Sequence, residues 1–362
     1  MSGVNPSQAG APDEDATFLR EANRMAIDLG GRPPERMERL GGRSRHVVRL
    51  RFADGSTAIL LRRGSRRLAD KEARVLHLLS GPKASTPRLL ACRGTWLLTS
   101  DLGDRRLPQA LQGVDRDGLH RWLNRASHSL AALQEQGRSA GLANHVPPIG
   151  ARDGWRQHLL LAPGRLGTRL EMAPPDMDLE AVDAALATAR RHFIKWDARA
   201  GNAMASDEAE VRWFDFEHCG CRDPLDDLAW LLGDEHVPDD AAIEQAILDD
   251  VLPRFADDLT VGEATRYLHI FGTLHMCLRL GLILEERAQI GGWRSQEICL
   301  RHDFIGVVQP LAVRLAQRAS RWADRNAETR RLGGWLRSVA FALNDRQPTV
   351  SVQHGLRLTA AA

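Results

Sequence analysis

Two short apolar runs separated by an Asp-Gly pair occupy the part of the chain between residues 46 and 63. The runs HVVRLRF and AILLRR flank ADGS, and Asp-Gly between two such runs predicts an antiparallel β-hairpin. The next stretch, SRRLADKEARVLHLLSG, places its apolar residues from Leu68 to Leu79 on one face of a helix and ends at a glycine. It predicts an amphipathic helix. The runs PRLLAC and TWLLTSDLG are short and apolar, which predicts two further strands.

Helical spacing dominates from about residue 117 onward. Only EVRWFDFEHCG, at 210–220, interrupts it with β character. The pattern therefore predicts an α+β chain with a β-rich first part and a larger helical second part. The helical stretches are LHRWLNRASHSLAALQEQG, DLEAVDAALATARRHF, DDAAIEQAILDDVLPRF, GEATRYLHIFGTLHMCLRLGLILEERAQIG and DFIGVVQPLAVRLAQRASRWADR.

The boundaries follow from the same pattern. Residues 1–16 and 346–362 lack periodicity, and the first of them are rich in Gly, Pro, Ser and acidic residues, so both ends are expected to be mobile tails. Between them we expect a β-rich unit over 17–100, a linker over 101–108 and a helical unit over 109–345.

Composition narrows the possible partners. The 49 basic and 47 acidic residues give a formal net charge of +2, so the chain has no overall field for non-specific nucleic-acid binding. The most apolar stretch, LHIFGTLHMCLRLGLILEE, is interrupted by His275 and Arg279 and is expected to be a core helix rather than a membrane span. The five cysteines lack C-x-x-C spacing and MSGVNPSQAGAPDEDA lacks an apolar core, so we expect a cytoplasmic protein.

Candidate chemistry lies in the loop FIKWDARAGNAM, at 193–204. Asn202 follows Asp197 by five positions, and Asp215 follows thirteen later at the end of the β-like run VRWFD. Phosphoryl transfer needs a carboxylate near the acceptor hydroxyl and oxygen ligands that hold Mg²⁺ on the nucleotide phosphates. Kinases supply these groups as an aspartate, an asparagine five positions on and a second aspartate after a strand. Taken singly, each residue is equally typical of an ordinary loop, so the prediction rests on their order.

The residues around this loop carry a family resemblance. WDARAGN, FDFE (214–217), DP (223–224) and DLA (227–229) resemble the core of the aminoglycoside phosphotransferase family, which is related in fold to protein kinases. The resemblance covers roughly residues 36–235 and is most specific in its second half. It implies a two-lobed protein-kinase-like α+β fold, with ATP or GTP and Mg²⁺ in the cleft and a small molecule as the phosphate acceptor.

The resemblance also implies roles in the helical lobe. Asp197 would orient the acceptor hydroxyl or accept its proton, and Arg199 would stabilise charge on the transferred phosphoryl group, although an exposed loop arginine is an equal alternative. Asn202 and Asp215 would hold the metal. Asp227 would brace the catalytic loop by accepting hydrogen bonds from its backbone.

In the β-rich lobe, the resemblance assigns the nucleotide-binding residues. LGGRSRHVVRL (40–50) is similar to a hairpin that covers the phosphates, with Gly41, Gly42 and Ser44 at its turn. The linker backbone from Ser100 to Leu102 would meet the nucleobase.

A cation facing the phosphates is also implied, together with a helix glutamate that pairs with it. Arg62, at the end of AILLRR, is expected to be this cation and Glu72 its partner. Arg63 is the competing candidate.

Two features leave alternatives open. Lys195-Trp196 stands where the family usually has His-Gly, so Lys195 is expected to be a scaffold residue, and a catalytically silent binding module is an alternative. A protein kinase is a weaker alternative, because the glycine of D-F-G and an A-P-E segment are missing.

The acidic run GDEHVPDDAAIEQAILDD (233–250) is either a solvated helix face or a surface for cationic acceptors.

Overall fold

A computed structural model gives the architecture of the chain. It has a small lobe built on one antiparallel sheet and a large helical lobe, with a cleft between them. The described residues are 12–41, 46–81, 84–150, 154–188, 190–208 and 210–345.

The sheet of the small lobe has the strand order β1-β2-β3-β5-β4. The predicted hairpin is confirmed, since β2 and β3 pair antiparallel from Val47–Leu61 to Arg51–Thr57, and Gly55 in the turn has φ 79°. The two strands predicted from PRLLAC and TWLLTSDLG are also confirmed. The strands are β1 (Arg36–Arg39), β2 (Val47–Arg51), β3 (Thr57–Arg62), β4 (Leu89–Arg93) and β5 (Trp96–Ser100).

Helix α1 (Pro12–Gly30) covers the outer face of this sheet. Phe18 stacks on Trp96 with 5.6 Å between ring centroids. The helix begins inside the range expected to be a mobile tail, so that expectation is wrong for residues 12–16, while residues 1–11 lie outside the described residues. The apolar residues that contact the sheet are Phe18, Ala22, Met25 and Ala26, which is a helical spacing.

Helix α2 (Arg66–Leu78) confirms the predicted amphipathic helix and lies on the cleft side of the small lobe. Ser65 caps it by accepting a hydrogen bond from the Leu68 amide at 3.3 Å. The helix buries Glu72 together with Val75 and Leu76. A buried carboxylate needs a partner, and the position of Glu72 therefore points to a cation in the cleft.

The large lobe is organised around α10 (Val261–Ile290), which packs against α6, α8 and α12. By length and composition alone α10 could cross a membrane, but 78% of its most apolar window is buried inside the fold. It is therefore the core helix that the sequence predicted. The other helices are α3 (Leu107–Ala110), α4 (Arg116–Ser139), α5 (Trp155–Leu160), α6 (Ala162–Leu170), α7 (Leu179–Ala185), α8 (Leu225–Leu232), α9 (Ala241–Ala256), α11 (Gln296–His302), α12 (Gln309–Ala323) and α13 (Arg330–Asp345).

Two helices are shorter than their patterns suggest. The stretch 178–193 is helical only to Ala185, because Phe193 and Ile194 are buried in a strand that pairs with Gly220–Arg222. The stretch 303–325 becomes helical only at Gln309, with a proline in the first turn, where its missing amide hydrogen has no cost.

The large lobe also contains more β structure than the single stretch expected. Its short strands form two antiparallel pairs, β6 with β9 and β7 with β8. They are β6 (His192–Ile194), β7 (Ala203–Ala205), β8 (Val211–Trp213) and β9 (Gly220–Arg222). Strand β8 lies in the stretch that was expected to have β character, whereas β6 and β7 were too short to identify from local pattern and depend on tertiary pairing.

The linker between the lobes is fixed by an arginine of the sheet. Arg49 donates from Nε to Asp101 Oδ2 at 2.6 Å and from Nη2 to the Gly103 carbonyl at 2.6 Å. Both side chains of the pair are buried. This contact holds the linker against the cleft-facing side of β2.

Candidate active site

A cavity of about 620 Å³ lies between the lobes. Its walls come from the sheet, the linker, α2, the loop around Asp197 and the end of α11. Among the residues predicted for the site, it is lined by Gly41, Arg62, Glu72, Ser100, Leu102, Asp197, Arg199 and Asp215.

Backbone conformation at the centre of this cavity is unusual. Trp196, Asp197 and Asp215 have φ values of 52°, 54° and 65°. Non-glycine residues rarely adopt such angles, and each costs on the order of 1–3 kcal/mol. Three of them in one site show that the surrounding contacts hold the two loops in a strained shape.

The hairpin of β7 and β8 brings the predicted metal-binding residues together. Asn202 immediately precedes β7, Asp215 follows β8, and the Phe214 amide donates to the Asn202 carbonyl at 3.1 Å. Asn202 Nδ2 also donates to Asp197 Oδ2 at 2.8 Å. The three residues identified from their spacing are therefore neighbours.

The donor atoms fit a hard divalent cation. Asn202 is fully buried, yet its Oδ1 has no hydrogen-bond partner among the described residues. The Asp215 carboxylate follows the strand paired with β7, and its pKa is lowered to about 2: burial opposes its charge, but Arg63 and then Lys195 outweigh the burial. Carboxylate and amide oxygens suit Mg²⁺, which usually takes only one or two protein side chains and completes its shell with phosphate and water.

No cluster of three or more His, Cys, Asp or Glu side chains suited to a metal occurs in the described part of the chain. A dedicated all-protein metal cage is therefore not seen there. The pair of Asn202 and Asp215 matches a cation that is shared with a nucleotide.

Asp227 connects α8 to the loop that carries Asp197. Its buried carboxylate accepts hydrogen bonds from the backbone amides of Lys195 and Trp196, each at 2.8 Å, and from Gln134 Nε2 at 2.9 Å. Burial raises its pKa to about 6, and these three hydrogen bonds oppose that rise. The contacts hold the backbone immediately before Asp197.

Lys195 is a fully buried cation below the same loop. Its Nζ donates to the carbonyl of Asp215 at 3.0 Å and to the carbonyl of Asp197 at 3.3 Å. It also lies 5.4 Å from the centroid of the Phe216 ring. Burial lowers its pKa, and the aspartates around it oppose that shift. Lys195 thus links the backbones of the two strained aspartates.

Trp196, which stands where the resemblance expects glycine, has φ 52° and packs in an aromatic cluster. Its ring contacts Trp155 and Trp230 edge to face, with centroid distances of 5.3 and 5.7 Å. Such pairs are worth about 0.5–1.5 kcal/mol beyond their buried area. Aromatic packing therefore offsets the conformational cost of a bulky residue at this position.

The predicted pairing of Arg62 with Glu72 is wrong. Arg62 ends β3 on the outer face of the sheet and donates to Glu21 of α1 at 2.8 Å. Arg63 points the other way and makes two hydrogen bonds to Glu72, one of 2.7 Å from Nη2 to Oε1. Successive side chains of a strand alternate between faces, so only the Arg63 side chain reaches Glu72, although residue 62 also borders the cavity.

Arg63 also reaches the predicted metal site. Its Nη2 lies 2.7 Å from Asp215 Oδ1, and its Nη1 lies 3.4 Å from Glu217 Oε1. Glu72 in turn accepts the Phe216 amide at 3.1 Å. The arginine therefore joins α2 to the loop that carries Asp215.

Arg199 is held by a residue that the sequence did not indicate. Its Nη1 and Nη2 donate to the two carboxylate oxygens of Asp303, each at 3.0 Å, while its Nε lies 3.6 Å from Asp197 Oδ1. Arg106, from the linker, lies 2.5 Å from the same Asp303. The resemblance ends near residue 235, and an aspartate after a helix is typical of any helix end, so no local signal identified Asp303.

The remaining nucleotide-site predictions concern backbone positions. Gly41 has φ 72°, which favours glycine. The Ser100 hydroxyl accepts the Arg88 amide at 2.9 Å, which ties the start of the linker to β4. Gly42 and Ser44 lie outside the described residues.

Three acidic side chains of the run 233–250 are buried and are neither solvated nor exposed to an acceptor. Asp234, Glu235 and Glu244 are buried. Glu235 pairs with Arg279, and Glu244 with Arg321. Glu235 and Glu244 therefore do not receive a cationic acceptor, because their charges face arginines inside the lobe, whereas Asp249 and Asp250 of the same run are exposed.

Comparison with known proteins supports the architecture. No protein-family model and no curated protein sequence matches the chain. An amicoumacin kinase solved with AMP-PNP, Ca²⁺ and Ami is 14% identical with a TM-score of 0.52, and the match covers 83% of this chain and 96% of that one. An aminoglycoside 2'-phosphotransferase IIIa mutant solved with GDP is 15% identical with a TM-score of 0.51, over 75% and 93% of the two chains.

These likenesses cover both lobes and nearly all of the two known structures. At such low identity they bear on the fold rather than on the substrate. The chain therefore has the two-lobed, protein-kinase-like α+β fold of the aminoglycoside phosphotransferases that its motifs resemble.

Proposed function

We propose that the protein transfers the γ-phosphoryl group of ATP or GTP to a hydroxyl of a small molecule, with Mg²⁺ as the metal. The observation that carries this proposal is the buried, unpartnered Oδ1 of Asn202, whose Nδ2 donates to Asp197 and whose carbonyl accepts the amide that precedes Asp215. Asp197 and Asp215 both line the interlobe cavity. Burying a polar atom without a partner costs about 1–3 kcal/mol, which a ligand would recover.

Each residue has a part in this reaction. Asp197 would accept the hydrogen bond of the acceptor hydroxyl and take its proton as the new bond to phosphorus forms. Asn202 and Asp215 would hold the metal, which neutralises phosphate charge when bound. Arg63, oriented by Glu72, would place its guanidinium against the phosphates.

Known structures of the same fold are consistent with these ligands. One contains AMP-PNP with Ca²⁺ and the other contains GDP, so nucleotide and divalent cation are both reasonable, and the choice between ATP and GTP stays open. One is a kinase of amicoumacin and the other a phosphotransferase of aminoglycosides, which supports a small-molecule acceptor for this chain.

One observation favours a second candidate, a catalytically silent binding module. The Arg63 guanidinium is 2.7 Å from Asp215 Oδ1 and competes there with a metal ion. In the enzyme, Mg²⁺ with nucleotide would displace this contact and leave Arg63 to Glu72 and the phosphates.

Calorimetric titration with Mg-ATP and Mg-GTP, followed by a screen of hydroxyl-bearing acceptors for nucleoside diphosphate release, separates the two candidates. The acceptors should include aminoglycosides, amino alcohols and sugars, with Asp215→Ala as the control. We expect metal-dependent binding and release in the wild type and neither in the control. Nucleotide binding without release of nucleoside diphosphate, whether an acceptor or only water is present, would favour the silent module.

A further inference from the structure

Asp303 lies at the end of α11, far in sequence from every residue of the predicted site. It has φ 53°, and its side chain is 6% exposed. Asp303 Oδ1 and Oδ2 accept the two Nη groups of Arg199, and Oδ2 also meets Arg106 Nη1 at 2.5 Å. One buried carboxylate is therefore shared by the catalytic loop and the linker.

The catalytic loop is built closely over this ion pair. A Cβ atom added at Gly201 would lie 2.3 Å from Arg199 Nη1 and 2.7 Å from Asp303 Oδ1. The Gly201 carbonyl also accepts Arg106 Nη1 at 3.4 Å. Gly201 is thus required for close approach, and the space around the pair leaves the guanidinium little freedom to move.

The geometry decides which part of Arg199 faces Asp197. Both terminal nitrogens are directed at Asp303, so Asp197 meets only Nε, at 3.6 Å. Burial opposes the charge of Arg199, but Asp303 and then Asp197 outweigh it and hold the pKa of the guanidinium well above its usual value. Arg199 therefore stays charged, and only the orientation of its guanidinium can change.

Without the Asp303 charge, the nearest carboxylate for that cation is Asp197. A guanidinium that pairs with a carboxylate through two hydrogen bonds occupies the oxygen atoms that would otherwise accept a substrate hydroxyl. Asp303 keeps Arg199 beside Asp197 without such a two-bond contact.

We propose that Asp303 is a positioning residue for phosphoryl transfer, which holds Arg199 away from Asp197 and so keeps that carboxylate open to the acceptor. The proposal rests on the function proposed above. It also makes α11, whose Leu300 and Arg301 line the cleft, part of the catalytic centre.

The test is Asp303→Asn, which keeps the shape of the side chain but removes its charge. We expect kcat to fall at least about 10-fold while the Kd of Mg-nucleotide stays within about 3-fold, because Asp303 acts on the acceptor step. Glu244→Gln is the matched control, since it removes the charge from another buried carboxylate that accepts two hydrogen bonds from one arginine, Arg321. It should lower the melting temperature at least as much and leave kcat unchanged.

A double-mutant cycle with Arg199→Gln tests whether Asp303 affects kcat through Arg199. If Asp303 acts through Arg199, the double variant should turn over no more slowly than Arg199→Gln alone. Multiplicative losses, or an Asp303→Asn enzyme with wild-type kcat, would overturn the proposal.

Should Asp303→Asn fail to fold, Arg199→Lys takes its place. Lysine cannot form the two parallel bonds to Asp303, so the same loss of kcat is expected, and unchanged kcat would count against the proposal. A wild-type chain that transfers to no acceptor would overturn the proposed function and this inference with it, whereas an active wild type with an unaffected Asp303→Asn would overturn the inference alone.

Discussion

The interlobe cleft and the run 233–250 are both rich in acidic residues, but the two regions use them differently. In the run, Glu235 meets Arg279 and Glu244 meets Arg321 and the Trp322 indole. In the cleft, Asn202 Oδ1 has no partner among the described residues, and Asp215 meets an arginine that is shared with Glu72.

The difference shows that the number of acidic residues is a poor guide to a binding site. Carboxylates that are paired with buried arginines are internal structure, and removing one leaves an uncompensated charge. An oxygen atom without a partner, such as Asn202 Oδ1 next to the strained Asp197, is available to a ligand. Changes in the two regions should therefore have opposite effects on turnover and on stability.

The largest effect on turnover is expected from Asp197→Asn. Loss of the proton acceptor should lower kcat by about 10²–10⁴-fold, with the melting temperature and nucleotide affinity nearly unchanged. Nucleoside diphosphate release and calorimetry measure these quantities. Asp249→Asn, an exposed change in the acidic run, is the control, and equal turnover of the two variants would refute the role of Asp197.

The largest effect on stability is expected from Glu235→Gln. The variant leaves Arg279 buried without its counter-charge, which should lower the free energy of unfolding by about 3–5 kcal/mol. Urea unfolding measures this value. A change below about 1 kcal/mol would mean that the pair is solvated and that the two regions are more alike than the structure indicates.

The two adjacent arginines offer a smaller and sharper contrast. Arg63→Met should raise the KM for Mg-nucleotide by about 10-fold or more, because it removes a charge-assisted contact to phosphate. Arg62→Met removes the partly exposed pair with Glu21, which is worth about 0–1 kcal/mol of stability, and the contacts of the guanidinium with the Phe18 and Trp96 rings. It should leave KM unchanged. Steady-state kinetics with varied nucleotide distinguishes the two variants. A larger rise in KM for Arg62→Met than for Arg63→Met would refute the assignment of Arg63 as the phosphate contact.

The last effect is a pH dependence of stability near the Glu235–Arg279 pair. Burial, and then Arg279, lower the pKa of His275 to about 3, whereas an unfolded histidine has a pKa of about 6.5. The unfolded chain therefore binds the extra proton first, and stability that is present above pH 6.5 is lost as the pH falls toward 3.

His275→Phe should reduce this loss while it keeps an aromatic ring beside Trp230, whose ring centroid lies 4.0 Å from that of His275. Urea unfolding at pH 7 and at pH 4.5 gives the comparison. Parallel pH profiles of variant and wild type would show that His275 is protonated in the folded chain.

Much of the fold could be predicted from local pattern. The hairpin of β2 and β3, helix α2 and the long helices of the large lobe follow from apolar spacing and turn residues. The spacing of α1 was equally regular from Phe18 onward, but its acidic, Pro-containing start suggested a tail. The short strands β6 and β9 could not be found this way, because three residues are too few to show a period.

The sequence alone identified four site residues, because the kinase pattern is defined by spacing along the chain. They are Asp197, Asn202, Asp215 and Asp227. Tertiary structure decided the rest, since it depends on residues that meet only after folding. Arg63 rather than Arg62 pairs with Glu72, Lys195 binds the carbonyls of two aspartates, and Arg199 meets an aspartate 104 positions away. A charge acquires its role from the partner that packing brings to it, and local sequence does not specify that partner.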